Sequence, residues 1–159
     1  MKRTILVGLA WAIITAGTAA AEAITGQADV IDGNTIRVAD ESIRLLEIDA
    51  PELDQVCVSR DDIVVDGKVV VPAGSAYRCG EVAKRYLGEW IEAKTVTCIA
   101  EGKDTEGYWL AHCTIDQFDV GLGMVMQGMA VADRDCQCYG IRGAEQFARK
   151  NRRGIWLSD

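Results

Sequence analysis

Six cysteines, one histidine and two short charged segments hold most of this chain's capacity for chemistry. The cysteines are Cys57, Cys79, Cys98, Cys113, Cys136 and Cys138. Thiols in such number either ligate a soft metal or pair as disulfides. Zinc is the weaker reading, because the one histidine, His112, adjoins Cys113 and no second ligand pair has metal spacing. Cys98 lies in the β-prone run 94–100 (KTVTCIA) and Cys113 in the run 108–115 (YWLAHCTI). The turn-rich EGKDTEG between them predicts neighbouring antiparallel strands with the two cysteines opposite each other. Cys57 and Cys79 bracket an insert and remain as the second bridge. Cys136 and Cys138 are left over, and a bridge across a single residue is strained and easily reduced. Its pairing and role stay open, with an idle local or an intermolecular disulfide ahead of redox catalysis.

The charged segments have plain readings of their own. In IRLLEIDAPE (43–52), Asp49 ahead of Ala50-Pro51 is a turn residue, and Arg44 with Glu52 makes a surface ion pair. In ARKNRRGIW (148–156), Arg149, Lys150, Arg152 and Arg153 complement a helix C-terminus and nearby carboxylates. Asp32-Gly33 forms a turn. His112 alternates with Cys113 along a strand, so it faces away from the disulfide and receives no catalytic role.

The elements that must position these residues begin with three β-prone runs, 27–31, 35–39 and 42–48, punctuated by Asp32-Gly33-Asn34 and Asp40-Glu41. The insert carries IVVDGKVVV, two β-branched runs about Asp66-Gly67 that predict a tight hairpin. Over 79–92, Val82, Tyr86, Leu87, Trp90 and Ile91 share one face at helical spacing. The two cysteine-bearing strands follow, then a short helix over 122–127, a longer one over 143–152, and Ile155 and Trp156 packed back onto the core. Five strands, an inserted helix and trailing helices predict an α+β, mainly β fold: a disulfide-bonded Greek-key barrel of the OB type.

Ahead of these elements stand Lys2-Arg3, an apolar run over 5–16 and Ala19-Ala20-Ala21, the order of a secretory signal peptide. The expectation is a signal over 1–21, one domain over 22–159 and a periplasmic or secreted product. The apolar run is too short for a span of roughly 20 residues, so no membrane attachment is expected after its removal. Loss of Lys2 and Arg3 takes the net charge from −7 to −9. A general DNA-binding module, which works by phosphate neutralisation, is disfavoured by that acidity. With 49% apolar residues and two prolines the chain can bury a core, which excludes disorder.

Taken in order, VIDGNTIRV (30–38), IRLLEIDAPE (43–52) and ARKNRRGIW (148–156) resemble the staphylococcal nuclease-like, or thermonuclease, family, over about residues 26–156. CGEVAKRYL and LAHC look like segments of its exported bacterial members. The resemblance implies an OB barrel and, for active members, Ca²⁺-dependent hydrolysis of DNA and RNA phosphodiesters. Such a reaction needs a hard cation on a phosphate oxygen, a cationic donor for developing charge, and a carboxylate that orients or deprotonates water. By resemblance Arg44 contacts the phosphate, Asp49 is a calcium ligand and Glu52 is the general base. Ala50 stands where threonine is frequent and offers a backbone carbonyl to the metal.

Three departures oppose that activity. The family's DGDT turn is Asp32-Gly33-Asn34-Thr35 here, so one ligand charge is replaced by an amide. Tyr108 stands at the second active-site arginine and supplies neither a charge nor a bidentate fork. Asp133 and Asp135 stand where relatives carry nucleotide-stacking tyrosines. Losing one charge-stabilising donor costs about 10²- to 10³-fold, and two independent losses roughly 10⁴- to 10⁶-fold. Two readings follow. One is an impaired or inactive phosphodiesterase acting on single-stranded DNA or RNA, with calcium weakly bound or absent. The other is a noncatalytic extracytoplasmic binding or accessory protein, for example in exopolysaccharide production, with a protein or polysaccharide partner. A monomer is expected in either case.

Overall fold

The computed structural model describes residues 23–65 and 67–158; the expected signal segment 1–21 lies outside the described residues. The first strand is β1 (Ala23–Gly26), continued after Gln27 by β2 (Ala28–Val30). Next come β3 (Thr35–Val38) and β4 (Glu41–Leu45). Ala39 and Asp40 link these two with φ of 49° and 68°, the left-handed pair that a two-residue hairpin turn requires. β3 and β4 alternate, burying Ile36, Val38, Ile43 and Leu45 and leaving Arg37 and Arg44 outward.

The expected strand over 42–48 is two strands. Leu46 and Glu47 form a turn, Glu47 with φ 66°, and the chain leaves the sheet as β5 (Ile48–Asp49). In the insert, β6 (Val56–Val58) pairs with β9 (Ala76–Arg78), while β7 (Ile63–Val65) and β8 (Lys68–Val71) form the hairpin. A disulfide joins Cys57 to Cys79 at the foot of this insert.

Helix α1 (Cys79–Ile91) buries Cys79, Gly80, Ala83, Leu87 and Ile91. The buried stripe is therefore centred on Ala83-Leu87-Ile91, with Val82, Tyr86 and Trp90 only half-buried on its flank. Two strands follow, β10 (Val96–Lys103) and β11 (Trp109–Ile115), antiparallel with Cys98 opposite Cys113. Their disulfide spans a Cα separation of 4.0 Å, and both cysteines are buried. β11 also runs parallel to β4, with Leu110 beside Arg44.

The sheet order is β1-β10-β11-β4-β3-β2. Its two ends are the halves of one strand broken at Gln27, so the sheet curls back on itself as an OB-type barrel. Sequence periodicity starts the barrel at 27, yet β1 supplies the pairing to β10 that brings its ends together.

Beyond the barrel, β12 (Phe118–Asp119) pairs with β11 and leads into α2 (Val120–Met126). The Asp119 carboxylate caps this helix, accepting from the Leu122 N–H at 2.6 Å. β13 (Val131–Ala132) pairs with β5, and α3 (Tyr139–Lys150) follows. α3 starts four residues ahead of the expected 143, because Gly140 and Gly143 lower local helix propensity without breaking the helix. The chain closes with a 3-10 turn, Gly154–Ser158. The Ile155 N–H donates to the Gly128 carbonyl at 2.9 Å, and the Trp156 ring lies 3.9 Å from the Arg149 guanidinium carbon. No helix among the described residues is long and apolar enough to cross a membrane.

Candidate functional site

Arg44 stands on β4 between two strands, opposite Thr35 of β3 and beside Leu110 of β11. It points from the barrel surface toward the turn that joins β10 to β11. There its Nη1 donates to Asp104 Oδ2 at 2.6 Å and its Nη2 to Glu106 Oε2 at 3.0 Å. The Tyr108 ring lies 4.7 Å below the guanidinium carbon. Burial works against the charge on Arg44, but the Glu106 hydrogen bond and the charges of Asp104 and Glu106 outweigh it, so its pKa is raised above the ordinary arginine value.

The two carboxylates are not equivalent. Asp104 Oδ1 accepts from the backbone N–H groups of Glu106 and Tyr108, both at 2.9 Å, which fixes the turn and the carboxylate together. Its side chain is 15% exposed, against 64% for Glu106. An exposed pair is worth about 0–1 kcal/mol, so an incoming anion can displace Glu106. Asp104, anchored by two backbone donors and a charge-assisted bond, stays. Arg44, Asp104 and Glu106 together carry a net charge of −1, so a phosphate approaching Arg44 meets repulsion. Sequence reading treated Asp104 and Glu106 only as part of a turn spacer. The signal lay in the parallel register of β4 and β11, which no local pattern reveals.

The expected metal residues converge through backbone contacts. An added Cβ at Gly33 would lie 2.7 Å from the Ala50 Cβ and 3.0 Å from the Ala83 Cβ, so only glycine lets the 32–34 turn seat against Ala50 and α1. Asn34 belongs to that turn; its N–H donates to Asp32 Oδ1 at 2.9 Å and its carbonyl accepts from the Leu45 N–H at 2.8 Å. Its side-chain oxygen accepts a long bond, 3.4 Å, from the Thr35 hydroxyl. Asp49 is exposed on β5, held in place by the pairing with Val131. Glu52 is exposed as well, and its backbone is held by Gln55, whose Oε1 accepts from the Glu52 N–H at 3.3 Å. A Cβ at Gly80 would collide with the Glu52 carbonyl, so a glycine at the start of α1 lets the helix rest on the Pro51-Glu52 backbone. The carboxylates of Asp49 and Glu52 have no side-chain partner among the described residues.

Calcium takes six to eight oxygen ligands, with affinity set by their charge. Here the convergent donors are one carboxylate, Asp49, with the neutral amide of Asn34 and the backbone of Ala50. Among the described residues no group of three or more His, Cys, Asp or Glu is placed to hold a metal. One Asp32 oxygen is already committed to the Asn34 N–H. With one carboxylate, this donor set carries less ligand charge than one with aspartate at position 34 would, and calcium affinity follows that charge.

Other singled-out residues lie apart. Asp133 and Asp135 form their own turn after β13, Asp133 Oδ1 accepting from the Asp135 N–H at 2.8 Å. His112 faces Glu101 and Asp119, at 3.7 and 3.8 Å. In the C-terminal basic run, Arg149 bonds Glu145 at 2.7 Å, Arg152 bonds Asp61 at 2.9 Å, and Arg153 donates to Gln127 at 3.2 Å.

Two comparisons bear on this arrangement. The succinoglycan biosynthesis protein ExoI of Rhizobium meliloti (strain 1021) is 38% identical over 157 residues, covering 97% of this chain and 75% of the relative. The model of the staphylococcal nuclease homologue family matches residues 42–158, the stretch that holds Arg44, Asp49, Glu52 and the turn that clamps Arg44. The barrel, its helices and these matches agree: the chain belongs to the staphylococcal nuclease homologue family.

Proposed function

We propose that this chain is an extracytoplasmic, noncatalytic member of its family that acts as a monomeric accessory protein in exopolysaccharide production. The observation that carries this reading is the clamp on Arg44. Arg44, which the family resemblance assigns to the phosphate, is neutralised by Asp104 and Glu106, and Tyr108 supplies no second charge. Asn34 removes a ligand charge beside it. The similarity to a succinoglycan biosynthesis protein supports a link to exopolysaccharide. The apolar segment before Ala21 supports a periplasmic or secreted location.

The test is complementation in cells lacking the protein, with exopolysaccharide yield as the readout. Glu52→Gln is expected to restore the yield as well as the native chain does. A folded Glu52→Gln chain that fails would overturn the noncatalytic reading, and an unchanged yield without the protein would overturn the accessory role. A second reading, a feeble phosphodiesterase, draws on one observation: the exposed carboxylates of Asp49 and Glu52 are unpaired among the described residues. Purified chain would then release product from single-stranded RNA at a rate that Glu52→Gln abolishes.

A further inference from the structure

The bridge between Cys136 and Cys138 lies just ahead of α3, with Cys138 packed into the hydrophobic core and Cys136 against it, and it takes no part in the Arg44 cluster. It closes a ring across one residue, on a loop where Asp133, Arg134, Asp135, Gln137 and Tyr139 are all exposed. Its two sulfurs sit in unlike places. Cys136 is half-buried, whereas Cys138 is 7% exposed and is the N-cap residue of the 12-residue helix α3. α3 has no side-chain cap hydrogen bond and no acidic residue in its first turn. An N-cap side chain is where an oxygen normally accepts from the free N–H groups of the first turn. A disulfide sulfur fills that role poorly, but a thiolate fills it with a full charge, and helix N-termini stabilise thiolates.

Arg142 strengthens the arrangement from the next turn. Its Nε and Nη2 donate to the Cys136 carbonyl at 3.1 and 2.9 Å, and Nη2 also reaches the Arg134 carbonyl at 2.9 Å. These bonds hold the loop against the helix and add a cation near the bridge. The opposing charges are Asp133 and Asp135 on the loop, and Glu47, whose carbonyl accepts the Asp133 N–H. Glu145 further along α3 is engaged with Arg149 and the Ala132 N–H. The other bridges are built differently. Cys98–Cys113 is buried within the barrel. Cys79 is the first residue of α1, but Glu81 stands in that first turn and the Cys79 Sγ lies 3.4 Å from the Gln55 carbonyl oxygen, a poor setting for a thiolate.

We propose that Cys136–Cys138 is a thiol–disulfide exchange site for exposed thiols, either small thiols or cysteines of flexible polypeptides. The donor thiolate attacks the more accessible Cys136 Sγ, the bond between the two cysteines breaks, and its electron pair leaves on Cys138 Sγ at the N-terminus of α3. A second donor thiolate then attacks the donor sulfur of the mixed disulfide and releases the Cys136 thiolate. Two donor thiols become one disulfide, two electrons pass to the protein, and the donors' two protons end on the cysteine pair or in solvent.

The experiment exposes the oxidised full chain, under native conditions, to reduced glutathione in one arm and to a flexible two-cysteine peptide in the other. Acid quenching and alkylation, followed by peptide mapping, read each bridge. The expected result is reduction of Cys136–Cys138 at least about tenfold faster than either other bridge. Cys138→Ser, given oxidised glutathione, is expected to form the glutathione mixed disulfide on Cys136 with release of one reduced glutathione, and to retain it because no neighbouring thiol resolves it. In the reduced native chain, Cys138 is expected to alkylate with an apparent pKa below the free-cysteine value of about 8.5. Like rates at all three bridges, or attack mapped to Cys138, would overturn the proposal. Faster reaction with the peptide assigns polypeptide thiols as donors, and faster reaction with glutathione assigns small thiols.

Discussion

Arg44 keeps its positive charge at every physiological pH, yet that charge faces two carboxylates of its own chain. Asp104 dominates, since it is the less exposed partner and also organises the turn. Asp104→Asn is expected to cost about 1–3 kcal/mol in urea denaturation, because bonds in a partly buried site are lost. The same substitution should raise the affinity of Arg44 for an added phosphate monoester. Glu106→Gln should change stability by no more than about 1 kcal/mol, because this carboxylate is mostly in water. Burial raises the pKa of Tyr77 above 10.0, and that of Tyr86 likewise, against an opposing effect of Arg153. The folded state therefore holds these protons more tightly than the unfolded chain. The resulting stability is present below pH 10 and is lost as pH rises through the raised values, which an absorbance titration with parallel denaturation would follow. Much of this scale was hidden from sequence. Asn34 and Tyr108 were legible as departures from a known motif, but the Arg44–Asp104 bond joins residues 60 apart. Only the parallel pairing of β4 with β11 brings them together.

Glycines and disulfides decide how the elements meet. Gly80→Ala drives a methyl group into the Glu52 carbonyl, so α1 or the 51–52 backbone must shift. The expected cost is about 1–3 kcal/mol, read as a lower denaturation midpoint at unchanged slope. A Cys98→Ala, Cys113→Ala double substitution should cost about 2–5 kcal/mol. Alternation of apolar residues made β3, β4, β10 and β11 legible, because each has one buried face. The facing of Cys98 and Cys113 followed from the turn between their strands. β1 was missed because residues 23–26 adjoin a segment read as a signal, and their pairing to β10 is long-range. The break between β4 and β5 was missed because Leu45, Leu46 and Ile48 continue an apolar run through it, while the turn depends on the left-handed Glu47. On α1, counting large side chains favoured Tyr86 and Trp90, whereas close helix packing selected the small Ala83 on the buried line.

At the scale of the whole molecule, the excess of acidic over basic residues and the closed Arg44 cluster act in the same direction. The chain should be retained poorly on nonspecific DNA at physiological salt, and tight binding that resists added salt would contradict the electrostatic account. Barrel class and family were legible because short motifs lie at turns and strand ends whose geometry depends on those residues. What the barrel does was not, because function depends on the charge balance of a cluster assembled from β4 and a distant turn. The most direct test measures Ca²⁺-dependent cleavage of single-stranded DNA and RNA by the purified native chain beside an Asn34→Asp, Tyr108→Arg variant, with Glu52→Gln as the control for contamination. The native chain is expected to cleave no faster than Glu52→Gln, about 10⁴-fold or more below a working family site. Cleavage by the native chain at a rate near that of the doubly substituted variant, and lost in Glu52→Gln, would contradict it.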